Sequence, residues 1–309
     1  MSFITNIRSV AKYESKILVR SWFFRIFTLL AVVFLGFFNF AMMLMEDNFG
    51  LWFAKSVSSN IPYLNLLLLN TGQAVVAVFL SSEFLKRDKK LDTSEVFYVR
   101  PLSNAEYVVG KIWGNLRVFL FLNLLVLAIV LAFNFMASGV TVDLPAYLIY
   151  FFLISIPTLI FIIGLSIFLM LLLKNQALTF ILLLGYIGLT LFYIQDKFYY
   201  LFDYMVYNLP LFKSTIVGFS NLELILNHRA IYFFAGLGFI FFTIFLFKRL
   251  PNARRSHYPW LFLSFCMFLL MVTAGFRHVR SILWEGEMRA LYTSINNKYV
   301  YEPKMAIDY

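Results

Sequence analysis

Charge is scarce in this chain, and so is cysteine. Of 309 residues only 14% are Asp, Glu, Lys or Arg, against about 25% in soluble domains. With 61% hydrophobic residues and 38 phenylalanines, a water-soluble globule is excluded. Cys266 is the one cysteine, and it lies inside an apolar run. No intrachain disulfide is possible, and cysteine usage says nothing about compartment. Catalytic constellations are missing as well. There is no H-E-x-x-H, no paired carboxylates and no G-x-S-x-G, which argues against a membrane-embedded protease or hydrolase and leaves no catalytic residue to name. No Walker-A run occurs either, since Gly110-Lys111 lacks the upstream glycine. Any energised work must draw its energy from another chain. The histidines His228, His257 and His278 read as loop residues at the surface without metal-ligand spacing. Asp and Glu are absent from the expected span interiors, and Arg117, at the end of one, is the only charge near them. A proton-driven carrier, which needs such groups, is disfavoured.

What the chain has in abundance is apolar runs of the roughly 20 residues that cross a hydrocarbon core. The reading is an all-α, polytopic integral membrane protein with six to seven transmembrane helices. Residues 1–25 form a basic amphipathic helix: Phe3, Ile7, Val10, Tyr13, Ile17 and Leu18 recur at helical spacing, with Arg8, Lys12, Lys16 and Arg20 interleaved. Such a helix lies in the membrane interface beside anionic lipid, or packs on its own protein; both need the same stripe. Residues 26–250 hold six spans, at about Ile26–Met45, Ile61–Ser82, Lys111–Ala137, Ala146–Leu173, Ala177–Ile194 and Ala230–Phe247. Pro157 is expected to kink the fourth. Residues 251–276 are a basic loop and a seventh span, about Pro259–Phe276, near the short limit. Residues 277–309 are a polar, aromatic tail. The net charge of +10 needs no nucleic acid to explain it, because the basic residues gather in alternate loops. That bias places the N-terminus in the cytoplasm and, with seven spans, the C-terminus outside.

The interval 83–110 is the long polar stretch between two apolar blocks. Asp92 stands three residues before Glu95, and Ser103 three before Glu106, the spacing of a capping box. Arg100 precedes Pro101, which disfavours helix there. A short helix at Thr93–Val99 and a second from Asn104 follow. The first is either a docking surface for a soluble partner or an ordinary helical loop. Residues 195–229 are crowded with Phe198, Tyr199, Tyr200, Phe202, Tyr204 and Tyr207, then broken by Pro210 and Gly218. They read as short helices dipping into, or lying on, the outer surface. Within the spans Asn39, Asn65, Asn70, Gln73, Asn123 and Asn134 either join helices or meet substrate; joining is the commoner role.

This layout resembles the ABC-2 type permeases, the membrane subunits of bacterial ABC exporters. Glu83 and the charges after it, Pro101-Leu102-Ser103 and Tyr107-Val108-Val109-Gly110-Lys111 are similar to the family pattern P-[IL]-S-x-x-x-[YF]-x-x-[GA]-K, and the likeness covers about residues 1–250. It implies a multi-pass protein of the cytoplasmic (inner) membrane that works as a permease homodimer or heterodimer with a separate ABC ATPase subunit. ATP and Mg would sit on that partner, with no cofactor or metal on this chain. The 93–99 segment becomes a coupling helix, with Asp92, Glu95, Val96, Phe97, Tyr98, Arg100 and Pro101 docking the ATPase. Tyr200, Tyr204, Tyr207 and Pro210 become candidates for an outer gate. The seventh span departs from the six-span layout and is similar to the lead-in, found in some such permeases, to an extracytoplasmic aminopeptidase-like domain. The competing reading is a membrane scaffold or sensor that anchors a partner without transport.

Overall fold

The computed structural model describes residues 3–44, 59–82, 102–136, 142–194, 197–207, 209, 211, 221–247 and 258–301. The sequence-predicted coupling helix, with Asp92, Glu95, Val96, Phe97, Tyr98, Arg100 and Pro101, lies outside them, as does Pro210. The described residues are helical almost throughout and contain no strand. Helix α1 is Phe3–Arg20, α2 is Trp22–Leu44, α3 is Asn60–Ser82 and α4 is Asn104–Met136. Next come α5, Leu144–Tyr150, and α6, Ile156–Leu173, joined by a π-helical turn at Phe151–Ser155. Helix α7, Gln176–Leu189, ends in a second π-helical turn at Thr190–Ile194. Helices α8, Leu222–Leu246, and α9, Tyr258–Tyr301, complete the series. Seven stretches among these are long and apolar enough to cross a membrane, and the protein is a multi-pass membrane protein.

Helices α3, α6 and α8 form the middle of the bundle, and α2, α7 and α9 lie outside it. The outer helices expose Leu29, Phe37, Ile181, Phe192, Phe262 and Phe276, side chains that suit lipid. In lipid the helices gain little from burying more apolar surface, so association rests on close packing and on polar contacts. Both occur here. A Cβ on Gly164 of α6 would lie 2.7 Å from the Gly236 carbonyl oxygen of α8, and a Cβ on Gly236 would lie 2.7 Å from the backbone of Ile160 and Phe161. The two backbones touch only because both residues are glycine. The polar contacts come from the amides. Asn39 and Asn65 bond each other reciprocally, joining α2 to α3. Asn70 donates to Asn123 and to Ser155, and Asn123 donates to Gln73, joining α3, α4 and the first π-helical turn. Asn134 of α4 donates to the Tyr147 hydroxyl of α5.

Helix α1 packs along the start of α4 through part of its apolar stripe, with Leu18 buried and Val10 lying against Gly110. The residues it buries are Ala11, Glu14, Ser15 and Leu18, while Phe3, Ile4, Tyr13 and Val19 stay exposed. The approach is close because α4 presents Gly110 and Gly114: a Cβ on Gly114 would fall 2.7 Å from Glu14 Cβ and 2.9 Å from the Ala11 carbonyl oxygen. Ser15 donates to the Gly114 carbonyl, and Arg117 reaches Ser15 Oγ and the Ala11 carbonyl. Arg117 therefore anchors α1 instead of extending toward headgroups. Helix α1 divides its apolar residues between the protein, at Val10 and Leu18, and the outside, at Phe3, Ile4, Tyr13 and Val19, so packing and lipid contact are compatible.

Several sequence expectations change. The start of α4 keeps its reciprocal cap, with Ser103 N donating to Glu106 Oε2 and Glu106 N donating to Ser103 Oγ. Pro157, expected to kink the fourth span, follows the π-helical turn, whose wider ring accommodates it. The sixth span begins at Leu222, eight residues before the expected Ala230. The seventh does not end near Phe276; α9 continues as one helix of 44 residues to Tyr301, so residues 277–301 are not a separate tail.

Candidate functional site: a pinned aromatic segment at one end of the bundle

Between the π-helical turn that ends α7 and the start of α8, the described residues 197–207, 209 and 211 are mostly non-helical and enter the bundle. The sequence suggested short helices here. The described part instead opens with one tight turn, Phe198–Tyr200, whose φ angles are 53°, 58° and 60°, a left-handed conformation three residues long. For L-residues this costs about 1–2 kcal/mol each. Val206, a β-branched residue, also has a positive φ, 69°. The early aromatic side chains Phe198, Tyr199 and Phe202 are exposed, whereas Tyr204, Met205, Val206, Leu209 and Leu211 are buried.

Irregular backbone among membrane spans is tolerated only where protein satisfies its polar groups. Side chains from the surrounding helices do so here. His278 Nε2 lies 2.9 Å from the Tyr199 carbonyl oxygen, and His228 Nε2 lies 3.0 Å from that of Tyr200. A carbonyl only accepts, so both rings carry their proton on Nε2. The Tyr232 hydroxyl donates to the Leu201 carbonyl. Tyr63 of α3 donates to Val206 O at 2.9 Å, and Tyr150 of α5 to Leu211 O at 2.6 Å. The Thr71 and Tyr207 hydroxyls share a hydrogen bond, and Asp203 Oδ1 accepts from the Tyr207 N–H at 3.0 Å. Donors from α3, α5, α8 and α9 thus converge on one short stretch, with Thr158 of α6 adding a longer bond to the Tyr204 carbonyl.

Arg229 is the centre of this arrangement. Its residue is 2% exposed, and its guanidinium makes four hydrogen bonds, all to neutral acceptors. Nη1 donates to the Tyr204 carbonyl at 2.9 Å. Nη2 donates to Thr158 Oγ1 at 2.8 Å and to the Ile154 carbonyl at 3.3 Å. Nε donates to the Leu153 carbonyl at 2.6 Å. The last contact follows from the sequence. Leu153 stands four residues before Pro157, which has no N–H to return to it. The orphan carbonyl is taken by arginine. Asp203 supplies opposite charge from close by, and the Tyr232 ring lies 5.7 Å from the guanidinium carbon.

Phe161, Tyr186, Tyr204 and Tyr232 pack ring against ring around the same point; Tyr186 and Tyr204 stack at 5.7 Å, and Phe161 meets Tyr232 edge-on at 5.1 Å. Burial, and after it the neighbouring Tyr186, Tyr207 and Asp203, push the Tyr204 phenol well above its usual range, so it stays neutral. Its hydroxyl is buried with no hydrogen-bond partner among the described residues. Burial also raises Tyr207, against the lowering effect of its bond to Thr71.

Of the residues the sequence pointed to as an outer gate, Tyr200, Tyr204 and Tyr207 come together here: Tyr200 and Tyr204 through their carbonyls, Tyr207 through its hydroxyl. Arg229, His228 and His278 were missed. The two histidines were expected at the surface; both are 0% exposed, with ring centroids 5.0 Å apart. Arg229 was expected in a loop, so the expectation that span interiors hold no ionisable group fails. A signal existed: Ile225, Arg229, Tyr232 and Gly236 share one helix face at spacings of four, three and four. Among the described residues no group of three or more His, Cys, Asp or Glu is placed to hold a metal ion.

No protein-family model, no curated protein and no solved structure matches this chain.

Proposed function

We propose that this chain is the membrane-spanning permease subunit of an ATP-driven exporter of the ABC-2 type, with ATP and Mg bound by a separate ATPase. The observation that carries the reading is the 197–211 segment. A scaffold needs only spans and a partner surface. It has no use for a segment that opens on three consecutive left-handed residues, buries Tyr204, Met205 and Val206 in the bundle and is held along its length by side chains from five helices. A transporter does, because a pathway must be closed at one end while it is open at the other, and a closure built from pinned irregular backbone opens when the pins part. The layout of seven apolar helices and an amphipathic N-terminal helix packed on the bundle is compatible with that role. In this reading the α1 end faces the cytoplasm, as the basic loops suggest, and residues 197–211 close the outer end. The protein works as a dimer in the cytoplasmic membrane, and residues 93–99 dock the ATPase.

The test is the double substitution Phe97→Ala with Tyr98→Ala in the full chain, co-expressed with the candidate ATPase. The variant is expected to reach the membrane and keep its dimer but to lose ATPase association and substrate-stimulated hydrolysis. Unchanged association would remove the docking assignment, and absence of any associating ATPase would remove the permease reading.

A further inference from the structure

Arg229 joins two parts of the molecule that differ in what they can do. Its contacts with Leu153, Ile154 and Thr158 are to the helices of the bundle. Its contact with Tyr204 is to the segment. Asp203, which supplies the opposite charge, is the next residue along the same segment. Carbonyl and carboxylate are consecutive, so withdrawal of the segment removes both at once. What remains is a guanidinium at the mouth of the bundle, still fixed on one side by α6 and the first π-helical turn. One N–H then loses its acceptor, and the guanidinium loses Asp203, the carboxylate whose charge acts on it among the described residues. Beside it stand the apolar faces of Phe161, Tyr186 and Tyr232. A neutral ligand replaces the lost acceptor but not the charge, and a cation replaces neither. An anionic oxygen replaces both, and an apolar tail attached to it covers the rings. An unpaired buried charge costs several kcal/mol, so the ligand that compensates it is strongly selected.

We infer that Arg229 is the recognition point for a substrate that is an anionic amphiphile, an acidic headgroup of phosphate type on an apolar tail, and that Asp203 and the Tyr204 carbonyl occupy its place when the segment is in. This rests on the transport reading, since it requires the segment to withdraw. The two are separable, because its test needs no ATPase: loss of ATPase association alone would leave the ligand response standing, and loss of the ligand response alone would leave the association standing.

The experiment uses the full chain in nanodiscs of zwitterionic lipid, with Cys266→Ser and the reporter Met205→Cys. Met205 is 1% exposed and makes none of the contacts described for Arg229, so a water-soluble maleimide reaches position 205 only when the segment withdraws. Dodecyl phosphate is expected to speed labelling about tenfold, the response when a ligand makes a minor state dominant. Dodecyltrimethylammonium, dodecanol and inorganic phosphate are expected to leave it unchanged. A matching response to the cation or the alcohol overturns the charge assignment, and a matching response to inorganic phosphate overturns the amphiphile. Arg229→Met should abolish the response. Should that variant fail to fold, Asp203→Asn decides: the amide keeps the acceptor for Tyr207 N–H but removes the competing charge, so half-maximal labelling should need about fivefold less dodecyl phosphate or lower still. An unchanged or raised requirement overturns the proposal.

Discussion

The two ends of the bundle hold buried charge in opposite ways. At the α1 end Glu14 and Lys111 face each other at 4.0 Å, both buried, between two regular helices whose backbones touch through Gly110 and Gly114. Asn6 donates to Glu106, and Asn104 to the Phe247 carbonyl, so the contacts there run from helix to helix. At the other end a single guanidinium is satisfied by the carbonyls of broken backbone, one freed by Pro157 and one belonging to a strained segment. The first end pairs an acid with a base between regular helices. The second holds a high-energy stretch of chain in place with donors contributed by separate helices. In the proposed transport reading, parting of those helices releases the second end.

The sharpest way to break the contrast is Arg229→Met. It strands the Leu153 carbonyl, leaves that of Tyr204 only the longer bond from Thr158 and should cost about 3–5 kcal/mol, the range for removing one member of a buried charged network. Denaturant unfolding in detergent would read it. A loss under about 1 kcal/mol would mean that the segment does not depend on the guanidinium. Gly114→Ala attacks the opposite end. The added methyl meets backbone and Cβ, not a flexible tip, and should cost about 1–3 kcal/mol while exposing α1 to protease. Labelling at position 205 should stay at the wild-type level if the two ends are independent.

Smaller effects should appear within the aromatic segment. Tyr204→Phe removes a buried hydroxyl that has no partner among the described residues and should stabilise by about 1 kcal/mol at neutral pH. The same residue makes the protein sensitive to alkali. In the fold the phenols of Tyr204 and Tyr207 ionise above their unfolded value of about 10, so their contribution is complete below that pH and lost as pH rises through the folded values. A denaturation midpoint followed from pH 8 to about 11.5 should fall above about 10, and less steeply in Tyr204→Phe. Smallest of all, Tyr199→Asn should stabilise by about 1 kcal/mol or less, because Asn tolerates the left-handed region and the Tyr199 carbonyl remains for His278. Destabilisation there would show that the exposed Tyr199 ring, and not the backbone strain, decides that position.

Much of the fold could be read from local chemistry. Apolar runs gave the first, second, fourth and fifth spans to within a few residues, because the length of a span is set by the hydrocarbon thickness. The Ser103–Glu106 cap was legible because it is made by neighbours in the chain. The amides were legible as helix-joining groups because little else satisfies them in lipid. What escaped the sequence was set by partners distant in the chain. Arg229 looked like a loop residue because Glu223, Asn227 and His228 lower the local hydropathy, yet what keeps it in α8 is a set of acceptors some 25 to 76 residues away. His278 seemed to mark the end of a span because Arg277 and Arg280 flank it, but a helix does not stop where its apolar content does. The face by which α1 packs was hidden for a different reason. Close approach selects small residues, so its contact side combines Ala11 and Ser15 with only part of the apolar stripe, Val10 and Leu18.

Helix α9 has a mechanical consequence of its own. At 44 residues it is about 66 Å long, roughly twice the thickness of a hydrocarbon core. His278, which holds the Tyr199 carbonyl, lies close to its midpoint. The helix is therefore a beam with its fulcrum at the strained turn. A tilt of about 10° at that point carries the far end sideways by about 6 Å, given a rise of about 1.5 Å per residue. Whatever grips the far arm gains leverage over the turn, and any release of the turn is amplified in the other direction. A displacement too small to notice among packed side chains becomes, at Tyr301, a stroke about the width of a helical turn.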